Sequence, residues 1–168
     1  MKPLVSIIMG STSDWPVMEK AANFLNDQKI PFEINALSAH RTPDEVEKFA
    51  REAEDRGIKV IIAGAGMAAH LPGVIAAMTS LPVIGVPIKG NFDGMDALLS
   101  IVQMPPGIPV ATVAVNGTQN AAILALQILA VGDDKLKKQM KDFKAGLKNK
   151  IVKANESLSE HEFEYRVK

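Results

Sequence analysis

The chain has 168 residues, enough for one domain with a sizeable hydrophobic core and too few for two ordinary ones. Its 19 Lys and Arg residues balance 19 Asp and Glu residues, so no global field draws it toward nucleic acid or an anionic membrane, and a phosphate would have to be bound by local placement. The absence of cysteine rules out disulfides, thiolate metal ligands and thiol nucleophiles and fits a cytoplasmic protein, while no stretch reaches the roughly 20 apolar residues of a membrane span. The opening MKPLVSIIMG carries one basic residue and a short apolar run, which suits a first strand over Val5 to Met9 better than a signal peptide. A helix from Trp15 to Gln28 follows, with Asp14 as a suitable N-cap and Pro16 in the first turn, where proline is tolerated. Phe32 to Leu37 form the second strand. Its helix is signalled by Thr42 at N-cap, Pro43 at N1 and Glu45 at N3, a capping-box pattern, with Val46, Phe49, Ala50 and Ala53 as the buried stripe.

Val60 to Ala63 make the third strand, and GAGMAAHLPG leads from it into a helix reaching Thr79. Residues 82–87, PVIGVP, form the fourth strand, followed by a helix from Asp93 to Gln103. Residues 109–115, PVATVAV, form the fifth. The next helix, NAAILALQILA over residues 120–130, is so uniformly apolar that part of its outer face must meet something other than water, most simply another subunit. Beyond Gly132 the chain is lysine-rich, yet Leu136, Met140, Phe143, Leu147 and Ile151 recur at helical spacing. This predicts one more amphipathic helix. The alternation of β-branched runs with helical patterns specifies a three-layer α/β/α fold around a parallel five-stranded sheet. The domain is placed at residues 1–155, C-terminal oligomerisation helix included, with residues 156–168 as a charged tail of the composition common in disordered segments.

In an open parallel sheet the ligand crevice lies outside the carboxyl ends of the strands. The informative residues fall there. After the first strand comes GSTSDW, residues 10–15: a glycine permits close approach, Ser11 and Ser13 offer hydroxyls, and a helix start offers unpaired amides to an anion. Asp14 has two readings, as the cap of that helix or as an acceptor for a sugar diol. After the second strand, SAHRTP over residues 38–43 sets Ser38, His40 and Arg41 ahead of another helix start. Arginine suits a bidentate phosphate contact, and histidine changes charge near neutrality, which fits it for general acid or base work. His70, after the third strand, either lines the pocket or braces its loop. PIKGNFDGMD, after the fourth strand, carries Lys89 and several glycines and suits a mobile cover. QMPPGIP, residues 103–109, falls at the opposite end of the sheet.

Other chemistries lack their signatures. His40 and His70 have no metal-ligand spacing, and no HExxH or paired-carboxylate helix accompanies them, so no metal is expected. The serines lack the GxSxG elbow, and neither GxGxxG nor the Walker A pattern occurs, so no dinucleotide or ATP cofactor is expected. The basic residues of the last helix are interleaved with acids and have few aromatics among them, a solvated face rather than a nucleic-acid platform. The residues alone thus point to a phosphorylated small-molecule site with histidine chemistry and leave the reaction open.

GSTSDW, SAHRTP, IAGAGMAAHLPG, LPVIGVP, LLSIVQMPPGIPVATVAV and NAAILALQILA, in that order over residues 4–131, resemble the PurE family of purine biosynthesis, and within it the class I branch, the N5-carboxyaminoimidazole ribonucleotide mutases. The resemblance implies a flavodoxin-like core, a homo-octamer whose sites include neighbouring chains, and conversion of the N5 carbamate of that nucleotide into a C4 carboxylate without cofactor, metal or ATP. It also implies residue roles. Ser11, Ser13 and Arg41 match the phosphate site, with Ser38 in the same neighbourhood; Asp14 matches the residue that holds the ribose hydroxyls; His40 matches the catalytic histidine. His70 matches the family's second site histidine, with Ala68, Ala69 and Leu71 around it as a small pocket. Met67 departs from the pattern, standing where class I commonly has glycine, as either ordinary backbone or an altered pocket wall. Two alternatives stand beside this reading: the class II aminoimidazole ribonucleotide carboxylase, which takes free CO2, and a non-catalytic nucleotide-binding module of flavodoxin-like fold.

Overall fold

The computed structural model describes residues 1–167. The chain divides into two compact units, Met1–Leu129 and a second beginning at Ala130. In the first, β1 (Val5–Met9), β2 (Phe32–Ala36), β3 (Val60–Gly66), β4 (Val83–Ile88) and β5 (Ala111–Thr112) form one parallel sheet in the order β2-β1-β3-β4-β5. From β1 the chain steps to β2 on one side and then returns to β3 on the other. That reversal of direction opens a crevice beyond the carboxyl end of β1, where the covering helices part.

Burial follows position in the sheet. β1 and β4 are buried throughout and β3 up to its last residue, as expected of central strands covered on both faces. Edge strand β2 is only partly covered, with Ile34 45% exposed. One face carries α1 (Trp15–Asp27), whose Met18 lies so close to Gly64 that a side chain there would collide with its thioether. The other face packs Ile8, Ile61, Ala63 and Val83 against α2 (Pro43–Arg51), α3 (Ala53–Arg56), α4 (Leu71–Ala76) and α5 (Met95–Val102). Each isoleucine fully buried in this way contributes roughly 1.5–3 kcal/mol relative to exposure.

The elements depart from the expected ones for local reasons. The predicted stripe Val46, Phe49, Ala50 and Ala53 is buried, but the helix carrying it breaks at Glu52. The Thr42 capping box does not form: Thr42 caps no helix amide and instead exchanges hydrogen bonds with Ser38, accepting from its N–H at 2.9 Å and donating to its carbonyl at 3.1 Å. The hydroxyl therefore closes the loop before the helix. The helix after β3 ends at Ala76 rather than Thr79. β5 is regular for two residues only, yet its edge stays tied to β4 through Val113 N–H to Gly85 O and Asn116 N–H to Pro87 O. α6 (Thr118–Ala130) buries Ala121, Ala122, Ala125 and Leu126 and leaves Ile123, Leu124, Ile128 and Leu129 half-buried.

The second unit holds α7 (Asp134–Ser159), capped by the Asp133 carboxylate accepting from Lys135 N–H and Leu136 N–H. The helix continues through Ser159, into the stretch expected to be tail. Arg166 meets its last turn, donating to Leu158 O at 2.6 Å and His161 O at 2.7 Å. A cation there complements the carbonyl end of the helix dipole. Of the predicted apolar stripe, Met140 is buried while Leu147 and Ile151 are exposed. Among the described residues no helix is long and apolar enough to cross a membrane.

Candidate active site

The carboxyl ends of β1, β2, β3 and β4 open onto one cleft of about 580 Å³, within the usual range for a small-molecule site. Ser11, Ser13, Asp14, Ser38, His40, Arg41, Ala68, His70 and Leu71 all line it. Ala69 does not: it is 1% exposed and belongs to the apolar cluster beneath the sheet. The AAHL turn thus alternates, with Ala68 facing the cleft, Ala69 anchoring the turn and His70 facing the cleft again.

Two short turns shape the anion side. The Thr12–Asp14 turn opens with reciprocal bonds, Ser13 N–H donating to Ser11 Oγ at 3.3 Å and Ser11 N–H donating to Asp14 Oδ2 at 3.2 Å, and it runs directly into α1. The two serine hydroxyls also touch at 3.0 Å. Asp14 therefore does not cap α1 itself; its carboxylate serves the turn before it. Half-burial pushes the Asp14 carboxyl above its ordinary value, and the hydrogen bond from Ser11 N–H opposes that rise.

Arg41 bridges the ends of β1 and β2. Its Nη2 donates to Gly10 O at 3.2 Å and its Nε to Ser38 Oγ at 3.4 Å. A guanidinium has five N–H donors, so these two bonds orient it and leave others for an anion. The serines and Arg41 line one wall of positive and hydrogen-bonding character.

His40 Nε2 and His70 Nδ1 stand 2.8 Å apart, with the rings edge-on at an interplanar angle of 86°. At that distance one nitrogen donates and the other accepts. The residues are 30 positions apart in sequence, and they lie after strands that are not neighbours. β2 and β3 flank β1, so the two loops lean toward each other across its end, over a gap of roughly 10 Å between strands. Sequence spacing gave no sign of this contact. Strand order would have: both histidines follow strands adjacent to β1.

The fourth strand end supplies residues that carried no role in the sequence beyond a possible cover. Ile88, Lys89 and Gly90 line the cleft. Lys89 Nζ pairs with Asp93 Oδ1 at 2.8 Å; the hydrogen bond and charge raise the lysine and lower the aspartate from their ordinary values. Phe92, Asp93 and Gly94 all have positive φ, giving a tight left-handed loop with Phe92 82% exposed. Met67 lines the cleft as well and is not ordinary backbone: its φ is +56°. The left-handed region costs a side-chain-bearing residue about 1–2 kcal/mol. Among the described residues no three histidine or carboxylate side chains converge as a metal site.

The profile of the family described as AIR carboxylase matches residues 4–150. The chain is 55% identical over 160 residues to the N5-carboxyaminoimidazole ribonucleotide mutase of Pyrococcus horikoshii, covering 95% of this chain and 90% of that protein. It is 54% identical over 163 residues to the phosphoribosylaminoimidazole carboxylase of Candida albicans, covering 96% of this chain but 29% of that much longer protein. The crystal structure of Treponema denticola PurE superposes with a TM-score of 0.84 at 33% identity, covering 93% of this chain and 98% of that one.

Proposed function

The chain belongs to the AIR carboxylase family, and from that premise we infer that it is an isomerase, an N5-carboxyaminoimidazole ribonucleotide mutase of de novo purine biosynthesis. The observation that carries the reading to the residues is the His40–His70 contact inside a cleft whose other wall is built from Ser11, Ser13 and Arg41. We assign the nucleotide phosphate to that wall and the ribose hydroxyls to Asp14. The aminoimidazole then lies toward the histidines, between Ala68 and Leu71.

The chemistry needs one proton in two places. Protonation of the carbamate nitrogen by His40 lets the N–C bond break, its electrons staying on nitrogen, and releases CO2. The electron-rich C4 then attacks that CO2, forming a C–C bond and a carboxylate and leaving C4 with a proton to lose. The deprotonated imidazole takes it, so His40 ends as it began. His70 Nδ1 lies at hydrogen-bond distance from the His40 nitrogen; bound nucleotide takes its place, and His70 turns to the pocket wall. No metal, ATP or organic cofactor enters these steps.

The same reading makes the protein a cytoplasmic homo-octamer with α7 as an oligomerisation helix. Support for subunit contact comes from α5, where Met95, Leu99 and Val102 are 55%, 50% and 47% exposed at three- and four-residue spacing on one helix face.

Product analysis from two starting materials tests the assignment. N5-carboxyaminoimidazole ribonucleotide, without ATP and with CO2 removed, is expected to give the C4-carboxylated isomer faster than its spontaneous decay. Product from aminoimidazole ribonucleotide and added CO2 alone would make the protein a direct carboxylase. No product from either, in a folded sample that binds the nucleotide, would make it a non-catalytic binding module.

A further inference from the structure

Met67 is a costly residue for its position. It holds a left-handed backbone, φ +56°, at the end of β3, a conformation that glycine adopts without strain. Its side chain is 59% exposed, so core packing does not compensate. It reaches instead toward the end of β4: a Cβ built on Gly90 would lie 3.8 Å from Met67 Cγ, ordinary van der Waals contact. Met67 and Gly90 both line the cleft that holds the histidine pair. β3 and β4 are neighbouring strands, so the side chain lies along their shared rim of the cleft, opposite the serine and arginine wall.

The reaction inferred above, on which this step rests, sets the cleft an unusual task. Free CO2 is small, uncharged and a poor hydrogen-bond acceptor, so no polar side chain can hold it firmly between leaving nitrogen and joining C4. Retention depends on walls. Methionine suits a movable one: it is unbranched, apolar and rotates about three bonds.

We propose that Met67 is a hydrophobic shutter that folds over bound nucleotide and keeps released CO2 in the cleft until C4 captures it. The shutter determines how often the carbon that leaves is the carbon that returns. It takes no part in the proton transfers.

The test uses the full-length protein and N5-carboxyaminoimidazole ribonucleotide labelled with ¹³C in the carbamate, in buffer holding excess unlabelled bicarbonate and carbonic anhydrase. Mass spectrometry reads the ¹³C fraction in the product carboxylate. Wild type and Met67→Leu are expected to retain the label in most of the product. Met67→Gly, which relieves the backbone and should fold at least as well, is expected to raise the unlabelled fraction roughly threefold or more. Equal retention in wild type and Met67→Gly overturns the shutter and leaves the mutase standing. Wild-type product carrying only solvent carbon is what a direct carboxylase would make from decayed substrate, and it overturns the mutase reading and the shutter together. Absence of any isomerised product from wild type overturns the mutase reading and the shutter with it.

Discussion

The two ends of the parallel sheet treat their polar groups in opposite ways. At the amino end, Glu33 on β2 accepts from buried Ser6 on the neighbouring strand at 3.0 Å, from Asn35 at 3.2 Å and from Arg56 at 3.1 Å, while the Arg56 guanidinium also lies 4.9 Å from the Phe49 ring centre. Three donors from separate parts of the chain converge on one oxygen, Oε1, of the half-buried carboxylate. At the carboxyl end, polar side chains of the cleft pair with one another: Ser11 with Ser13, His40 with His70, Lys89 with Asp93. Those contacts are exposed and can be exchanged for a ligand. Asp14 is held there although burial disfavours its charge. One end is arranged for stability and the other for substitution by substrate.

Changes at the two ends should therefore separate activity from stability. The largest effect is expected from His40→Asn, which removes a positioned proton carrier and should lower turnover by about 10²–10⁴, with nucleotide affinity and thermal midpoint near wild type. Steady-state kinetics beside calorimetric titration would check it, and near-parental turnover would remove His40 from the mechanism. Glu33→Ala should do the reverse. Leaving Ser6 and Arg56 without their acceptor is expected to cost about 1–3 kcal/mol in urea unfolding, with turnover per folded molecule unchanged.

Asp14→Asn should show both behaviours with opposite signs. Loss of the charged acceptor is expected to weaken nucleotide binding about tenfold. Because burial raises the folded-state value of Asp14 above 3.8, the folded protein holds that proton more tightly than the unfolded chain. Ionised Asp14 therefore destabilises the free protein at neutral pH, and the penalty fades as pH falls toward 3.8. The variant should unfold at a higher temperature than wild type at pH 7, with the gap closing on acidification. A gap that widened instead would contradict the assignment of the shift to burial. The smallest effect belongs to neither end: Lys138→Ala breaks an exposed pair with Asp142 and should change stability by less than about 0.5 kcal/mol.

The sheet was legible in the sequence because parallel strands buried on both faces must be continuous apolar runs, and Val5 to Met9 and Val83 to Ile88 are such runs. The strand-end residues were legible for a related reason, since chemistry-bearing side chains cluster where the helices part. Competition between local partners was not. Thr42 has the pattern of a helix cap, but the Ser38 backbone lies nearer and takes its hydroxyl. Ala69 sits inside a site motif and yet turns into the core, where its methyl joins the apolar cluster under the turn. The helix α7 runs on to Ser159, four residues into the stretch assigned to the tail, with Arg166 donating to its last turn from beyond it. The His40–His70 contact required strand order, which periodicity does not carry.

The most direct measurement of the central claim, that this histidine contact is the device the nucleotide engages, uses the chain's small histidine count of three. Ring ¹⁵N spectra recorded with and without aminoimidazole ribonucleotide should show the His40 and His70 signals move together as their mutual hydrogen bond is replaced, while His161, beyond the end of α7, stays fixed. Nucleotide binding that left both site histidines unmoved would contradict the account.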